Sequence, residues 1–351
     1  MIDFANKLSC YDLAVDLGTC NFRIIARGKG LVVREPTVVA RQRKKGGAVL
    51  AVGKKAKAMM GKEPQQIEIV EPISEGVIAD FDAALNLIDH FFSLVKQIPG
   101  RRLKIFGPRV IVGVSSRATE VERRAVKAAI LKVGAREVFL VEKPMAATIG
   151  MDLSVDRSSG FLVIDIGGGT TEIAVISLGG IVLNRSIPVG GNTMDGAIVN
   201  FLRLKYGLLI GQPTAEKVKN QLGCVYPTGK ESKKQLVIRG RDLESGLPKS
   251  VKITQQEVME ALMPVFQKIV TQLSELLEEL PAELTNDILK GGIGLTGGVS
   301  QINGLEKYIS EETKMPAWLA KLPFLSVVKG GELLLEDRKL LDKVKLVSGL
   351  K

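Results

Sequence analysis

The sequence is poor in the residues that most often build catalytic and metal sites. Its 351 residues include one histidine and three cysteines. The histidine, His90, lies in a helical apolar stretch, so we expect a packed structural residue rather than a catalyst or a metal ligand. Cys10, Cys20 and Cys224 are too few and too scattered for a disulfide framework or a zinc site. These absences fit a reduced, cytoplasmic protein.

Long apolar runs and aromatic residues are scarce as well. No uninterrupted apolar run reaches the ~20 residues of a membrane-spanning helix, and residues 1–8 lack the apolar core of a signal peptide. Aromatic residues make up 5% of the chain and do not alternate with its basic clusters, so no stacking surface for nucleic acid is expected. The net charge of +11 suits contact with anionic lipid, although a solvated face explains any single basic cluster equally well.

The most informative stretch runs from Phe161 to Glu172. Residues 161–164 have the length and branching of a buried strand, Asp165 follows, and glycines occupy positions 167–169. Consecutive glycines let backbone N–H groups converge on an anion such as a phosphate. A second β-type run, 173–176, comes next, so the pattern predicts strand, turn, strand. Taken alone, this stretch is equally well interpreted as a glycine-rich hairpin without a ligand.

A second copy of the pattern lies near the N-terminus. Residues 13–15 are apolar, Asp16 follows, and Gly18 and Thr19 precede another extended run. The two aspartates are separated by about 150 residues, the length of one domain. Two such units predict two lobes of similar fold that face each other across a cleft. Their carboxylates are suited to a divalent cation, because Mg²⁺ takes one or two carboxylates together with phosphate oxygens and water.

Other signals predict an α/β protein around this repeat. Capping sequences open helices at Thr119 and Thr254. A third strand followed by a glycine turn covers residues 293–300 and precedes a helix, so its N–H groups are also suited to a ligand. The polar segment 151–160 is the expected boundary between the lobes.

These motifs resemble the actin-fold nucleotide-binding superfamily, which includes actins, heat-shock chaperone ATPases and sugar kinases. Within it, the sequence is most similar to the MreB family of bacterial actins. The motifs that carry the resemblance include Asp-Leu-Gly-Thr at 16–19, Glu-Pro-Thr-Val at 35–38, Gly-Val-Ile-Ala-Asp at 76–80, Asp-Ile-Gly-Gly-Gly-Thr-Thr-Glu at 165–172 and Leu-Thr-Gly-Gly at 295–298. The chain has no room for the extra substrate-binding domain of a chaperone, and no sugar-kinase site can be identified.

The resemblance implies an actin-like, ribonuclease H-like α/β fold. Each of two similar lobes would contain a mixed sheet flanked by helices, with the nucleotide in the cleft between them. Domain I would comprise residues 1–157 and 323–351, with a small subdomain at about 40–75. Domain II would comprise residues 158–322, with a small subdomain at about 194–257.

It also implies roles for individual residues, with ATP and Mg²⁺ as cofactors. The β- and γ-phosphates would contact Thr19, Cys20, Asn21, Gly168, Gly169 and Thr170. Asp16 and Asp165 would order water around Mg²⁺. The ribose and adenine would be contacted by Glu216, Lys217, Val218, Lys219, Thr296, Gly297, Gly298 and Val299. An exposed ion pair on one helix face is the alternative for Glu216 and Lys219. Ile105-Phe106 matches the membrane-inserting loop of the family, with packing on its own domain as the alternative.

One departure from the family bears on catalysis. The family usually reads Glu-Glu-Pro where this chain has Glu142-Lys143-Pro144, and the second glutamate is taken to position the attacking water together with the threonine at Thr170. A protonated lysine cannot accept a proton from water, although it binds phosphate as a point charge. The catalytic set implied by the resemblance is therefore Asp165, Thr170, Glu142 and Lys143, with Glu142 as the only neighbouring replacement base.

Three milder departures also occur in the glycine turns and beside them. Cys20 stands where alanine is usual, Asn192 where aspartate is usual, and Val299 where a third glycine is usual.

The expected function is that of an ATP-binding bacterial actin homologue with slowed hydrolysis. Such a protein would form filaments on the inner face of the cytoplasmic membrane, work with cell-wall elongation proteins and determine cell shape, without binding nucleic acid. One alternative is a weakly catalytic structural or regulatory paralogue that co-assembles with an active homologue. Another is a metabolic kinase of the same fold, which would need a small acceptor substrate.

Overall fold

The computed structural model describes residues 11–44, 46–98, 107–226 and 234–348. Within these ranges the strands are β1 (Leu13–Leu17), β2 (Asn21–Ala26), β3 (Gly30–Pro36), β4 (Val39–Gln42), β5 (Val49–Val52), β6 (Ile67–Val70), β7 (Ile73–Ser74), β8 (Val77–Ile78), β9 (Arg109–Val114), β10 (Glu137–Glu142), β11 (Phe161–Ile166), β12 (Thr171–Ser177), β13 (Gly180–Ile187), β14 (Leu208–Leu209), β15 (Gln235–Asp242), β16 (Pro248–Thr254), β17 (Ile293–Thr296) and β18 (Ala317–Leu319). The helices are α1 (Lys54–Lys57), α2 (Phe81–Lys96), α3 (Glu120–Lys132), α4 (Lys143–Gly150), α5 (Gly191–Tyr206), α6 (Gln212–Leu222), α7 (Gln255–Glu278), α8 (Ala282–Gly291), α9 (Leu305–Thr313), α10 (Ser326–Glu336) and α11 (Arg338–Ser348).

None of the helices in the described ranges combines the length and the apolar character needed to cross a membrane. The predicted membrane-inserting pair, Ile105-Phe106, and the N-terminal segment 1–8 lie outside the described residues.

Two five-stranded sheets share one topology. The first has the order β10-β9-β1-β2-β3, with parallel neighbours on one side of β1 and antiparallel neighbours on the other. The second has the order β18-β17-β11-β12-β13 with the same alternation around β11. Each central strand therefore leads through its aspartate and glycine turn into an antiparallel partner, and the predicted α/β fold class is confirmed.

Each lobe also carries a smaller three-stranded sheet. The sheet β5-β4-β6 belongs to the first lobe and the sheet β14-β15-β16 to the second. The exact domain boundaries drawn from the sequence remain a prediction.

Strand periodicity places both aspartates on the facing sides of the two sheets. Side chains alternate between the two faces of a strand. In β1, Leu13, Val15 and Leu17 enter the core beneath α2 and α3, so Ala14 and Asp16 occupy the opposite face. In β11, residues 162, 164 and 166 enter the core of the second lobe, which leaves Asp165 on the other face. One shared layer of apolar residues, drawn from both sheets, lies on this side.

Helices α4 and α10 form much of that layer and touch at glycine. A Cβ on Gly330 would lie 1.7 Å from the carbonyl oxygen of Ala146, and a Cβ on Gly150 would lie 1.9 Å from that of Ser326. Contacts this short exclude any side chain at either position. The prediction that the C-terminal segment packs back on the first lobe agrees with the contacts of α10 with β1, β2 and β9.

The structure differs from the sequence predictions in a few elements. Helix α8 and the start of α5 at Gly191 were not predicted. A 3₁₀ turn at residues 299–301 lies between the third glycine turn and α9, which begins at Leu305.

Candidate functional site

A cleft of about 320 Å³ lies where the two lobes meet. That volume falls in the range of small-molecule sites. Its lining includes most of the residues singled out from the sequence, namely Asp16, Thr19, Cys20, Asn21, Lys143, Asp165, Gly168, Gly169, Thr170, Glu216, Lys219, Gly297, Gly298 and Val299. All three glycine turns therefore open onto one space.

The first two turns touch each other across the floor of the cleft. A Cβ on Gly168 would lie 2.1 Å from the Sγ of Cys20, and a Cβ on Gly169 would lie 2.6 Å from the Oγ1 of Thr19. Glycine is required at both positions, because any side chain would displace the turn of the other lobe. A backbone hydrogen bond fixes the turn of the second lobe, since the N–H of Asn192 donates to the carbonyl oxygen of Gly168 at 2.8 Å.

Beneath the turns lies a buried cluster of opposite charges, which we call the charge cluster: Asp16, Arg23, Lys143, Asp165 and Glu172. Oδ2 of Asp16 accepts a hydrogen bond from Arg23 at 2.7 Å, and Nζ of Lys143 lies 3.4 Å from Oδ1 of Asp16. Lys143 also donates to the carbonyl oxygen of Leu17 at 3.5 Å. These side chains join the two sheets at the point where their aspartates face each other.

The charge cluster contains buried polar atoms without a hydrogen-bond partner. They are Oδ1 of Asp16, Nε of Arg23 and Oε1 of Glu172. Buried polar groups in proteins are nearly always hydrogen-bonded, and exceptions call for an explanation such as contact with a ligand. The cluster is therefore suited to a polar ligand.

Burial and the neighbouring charges shift the pKa values in the charge cluster. Burial raises the pKa of Asp165 to about 7, with Asp16 and Glu172 adding to the rise and Lys143 and Arg23 opposing it. Burial acts to lower the pKa of Lys143, but the attraction of Asp16, Glu172 and Asp165 outweighs it, and the pKa lies above its ordinary value. Lys143 is therefore charged at neutral pH.

The two aspartates differ because their cross-strand partners differ. Asp16 faces Arg23 on β2, whereas Asp165 faces Glu172 at the equivalent position of β12. Glu172 is held by the first lobe, since its Oε2 accepts from the N–H of Ser116 at 3.1 Å and from its hydroxyl at 2.7 Å. One aspartate thus has a cation beside it and the other has an anion.

Further polar contacts link the lobes at the rim of the cleft. Sγ of Cys20 donates to Oδ1 of Asn192 at 3.0 Å, and burial raises the pKa of the Cys20 thiol to about 11, so the thiol keeps its proton. Lys57 on α1 pairs with Glu216 on α6 at 2.6 Å. Glu216 is thus engaged by the other lobe rather than by its own helix.

Lys219 is fixed to the start of α5. Its Nζ donates to the carbonyl oxygen of Gly191 at 2.9 Å and lies 2.9 Å from Oδ1 of Asp195. Burial raises the pKa of Asp195 to about 6, and Lys219 opposes that rise.

Four predicted residues are not among those that line the cleft. Glu142 pairs instead with Arg123 on α3 at 2.9 Å. Val218 is fully buried in the core of the second lobe, and Lys217 is exposed. The hydroxyl of Thr296 donates to the carbonyl oxygen of Pro323 at 2.8 Å.

Other lining or neighbouring residues were missed by the sequence predictions. Arg23 and Arg34 come from strands outside the turns, and Asp195 comes from α5. The sequence could have indicated Arg23, because Arg23 follows Asp16 by the same number of residues as Glu172 follows Asp165. Arg34 lies over the ring of Phe324, with its Cζ 4.5 Å from the ring centroid.

The donor set does not form a metal site by itself. Among the residues that the structure describes, no group of three or more histidine, cysteine, aspartate or glutamate residues is arranged to hold a metal ion. Asp16 and Asp165 are both present in the cleft, but Lys143 already lies against Asp16. The residues therefore fit a resident divalent cation poorly.

Comparison with known proteins gives the family. The family described as MreB/Mbl protein matches residues 10–343. The cell shape-determining protein MreB of Escherichia coli K12 is 42% identical over 328 residues, which cover 93% of both chains. The chain belongs to the MreB/Mbl family. The cell shape-determining protein Mbl of Bacillus subtilis 168 is 40% identical over 335 residues, covering 95% of this chain and 98% of Mbl.

Solved structures of the MreB/Mbl family agree with the fold. The crystal structure of MreB5 of Spiroplasma citri bound to ADP matches with a TM-score of 0.88 and 36% identity, covering 96% of this chain and 98% of that one. The same protein bound to AMPPNP matches with a TM-score of 0.88 and 35% identity, covering 96% and 99%. The predicted family and actin-like fold are both confirmed.

We expect Asp165→Asn to stabilise the ligand-free protein at about pH 8 but not at about pH 4. Native Asp165 keeps its proton up to about pH 7, whereas an unfolded aspartate loses it near pH 4, so stability falls as the pH rises through this window. The full effect is on the order of 4 kcal/mol. Calorimetric melting temperatures across this range measure it.

Asp89→Asn, at an exposed position on α2, is the matched control and should follow the wild-type profile. A pH-independent difference for Asp165→Asn, or a loss of stability at about pH 8, would contradict the assignment of a protonated Asp165.

Proposed function

We propose that this chain is an ATP-binding actin homologue that assembles into filaments and hydrolyses ATP slowly. One observation carries the proposal: the glycine turns after Asp16 and Asp165, from two lobes of equal topology, open onto one cleft that the third turn also reaches. In MreB5 of Spiroplasma citri, a chain of the same family binds ADP and AMPPNP.

In this proposal the phosphates lie in the cleft against residues 19–21 and 168–170, which both line it. Backbone N–H groups in glycine turns are suited to phosphate oxygens, and Lys143 adds a positive charge at the floor of the cleft. Ribose and adenine lie toward Glu216, Lys219 and the turn 297–299. Mg²⁺ would be held chiefly by phosphate oxygens and water, because the carboxylates of the described residues alone do not form a metal site.

Slow hydrolysis follows from the chemistry at position 143. The attacking water needs a proton acceptor within hydrogen-bond reach, and a charged lysine is not one. The neighbouring base, Glu142, is turned toward Arg123 and engaged in an ion pair. Glu172 lies near Lys143, but one of its oxygens is occupied by two hydrogen bonds from Ser116. The chain thus retains the features for binding and lacks the usual base.

The proposed cellular role is the organisation of cell-wall growth, together with cell-wall elongation proteins, and hence of cell shape. The family relatives from Escherichia coli and Bacillus subtilis are cell shape-determining proteins. The absence of a base at position 143 also favours a second candidate, a weakly catalytic paralogue that co-assembles with an active homologue. ATP-dependent pelleting of the chain alone supports the first role, whereas pelleting only with the homologue supports the second.

We expect Lys143→Glu to raise the rate of phosphate release from ATP by about tenfold or more, because a positioned general base contributes about 10²–10⁴-fold. A phosphate-release assay at saturating ATP measures the effect. Lys132→Glu, on the exposed end of α3, makes the same change of charge outside the cleft and should leave the rate unchanged. Equal, brisk release by the wild type and Lys143→Glu would exclude slowed hydrolysis.

We also propose that the filaments lie on the inner face of the cytoplasmic membrane through Ile105-Phe106 and the N-terminal segment. An apolar pair beside basic residues inserts between acyl chains while the cations contact headgroups. Phe106→Ser or deletion of residues 1–8 should reduce flotation with anionic liposomes. Val121→Ser, at an exposed position on α3, is the control. Unchanged flotation of both variants would refute membrane contact through these segments.

A further inference from the structure

Lys143 lies where the carboxylates of the two lobes converge. It is the first residue of α4 and follows β10, whose neighbour is β9. Its stem passes over Gly113 of β9, where an added Cβ would lie 3.5 Å from Cγ of Lys143. The ammonium group reaches past β9 to Asp16 on β1, the next strand of the sheet. The start of α4 thus places the ammonium group of Lys143 at the floor of the cleft.

The ammonium group of Lys143 has more N–H donors than its contacts within the protein use. A lysine has three N–H donors. One is directed to the carbonyl oxygen of Leu17, and Oδ1 of Asp16 lies within ion-pair distance at 3.4 Å. A third donor is left for the cleft, in which Lys143 is a lining residue. The same group can therefore contact a carboxylate of the protein and an oxygen of a bound phosphate.

The charge balance of the cleft depends on this residue. Its lining includes four basic side chains and four acidic ones, namely Arg23, Arg34, Lys143 and Lys219 against Asp16, Asp165, Asp195 and Glu216, of which Asp165 keeps its proton up to about pH 7. With the glutamate that is usual in the family at position 143, three basic side chains would face five acidic ones. The exchange of glutamate for lysine changes the charge by two units, which is the charge of one divalent cation.

We propose that Lys143 takes over the charge-neutralising role of the divalent cation, so that this chain binds a nucleoside triphosphate without Mg²⁺. The inference rests on the proposed function, since it assigns a property to the same nucleotide site. The ammonium group neutralises Asp16 and contacts the phosphates directly, which is the pairing that a cation between carboxylate and phosphate provides. With a glutamate at position 143, the acidic floor repels the triphosphate unless a metal accompanies it.

The test is the affinity for AMPPNP, measured by isothermal titration calorimetry in Mg²⁺ and in EDTA. The wild type is expected to change its Kd by less than about threefold between the two, whereas Lys143→Glu loses about tenfold or more in EDTA. Lys143→Met, which keeps an unbranched stem without the charge, should also lose affinity in EDTA. Lys132→Glu should behave like the wild type, because its change of charge lies outside the cleft. Circular dichroism verifies that the variants are folded.

The outcomes separate this inference from the proposed function. Tight binding by the wild type in Mg²⁺ with a loss of about tenfold or more in EDTA overturns the inference and leaves nucleotide binding intact. No binding in either condition overturns both. If a variant fails to fold, the Kd values of the wild type in Mg²⁺ and in EDTA are sufficient to decide between these outcomes.

Discussion

The contact of Lys143 with Asp16 is the interaction on which the rest of the site depends. Three carboxylates, Asp16, Asp165 and Glu172, are buried where the sheets face each other, and buried like charges are costly unless paired. Lys143 and Arg23 supply the opposing charge. With these cations in place, the two glycine turns approach within contact distance. Without them, the acidic side chains would repel each other at the junction of the lobes.

The same junction couples the lobes through contacts far apart in sequence. Ser116 of the first lobe holds Glu172 of the second, and Lys57 pairs with Glu216 across the rim. Cys20 of the first lobe hydrogen-bonds to Asn192 of the second. An alanine at position 20 would have no donor for this contact. A ligand between the turns would therefore act on contacts that belong to both lobes.

Much of the fold and part of the site followed from sequence because they depend on local rules. Glycine runs after apolar strands gave the turns, and the repeat of Asp16 and Asp165 gave the two lobes. The placement of residues 216–219 on α6 also has a local cause. Residues three apart share a helix face, so Glu216 and Lys219 line the cleft while Lys217 and Val218 between them point elsewhere. Contacts such as Cys20 with Asn192 depend on lobe packing, which no local pattern contains.

The most direct measurement is a crystal structure of this chain with AMPPNP in the absence of divalent cations. We predict that the triphosphate lies in the cleft against residues 19–21 and 168–170. We also predict that Nζ of Lys143 lies within hydrogen-bond distance of a phosphate oxygen while remaining beside Asp16. A nucleotide bound outside this cleft, or a Lys143 side chain turned away from the phosphates, would contradict these predictions.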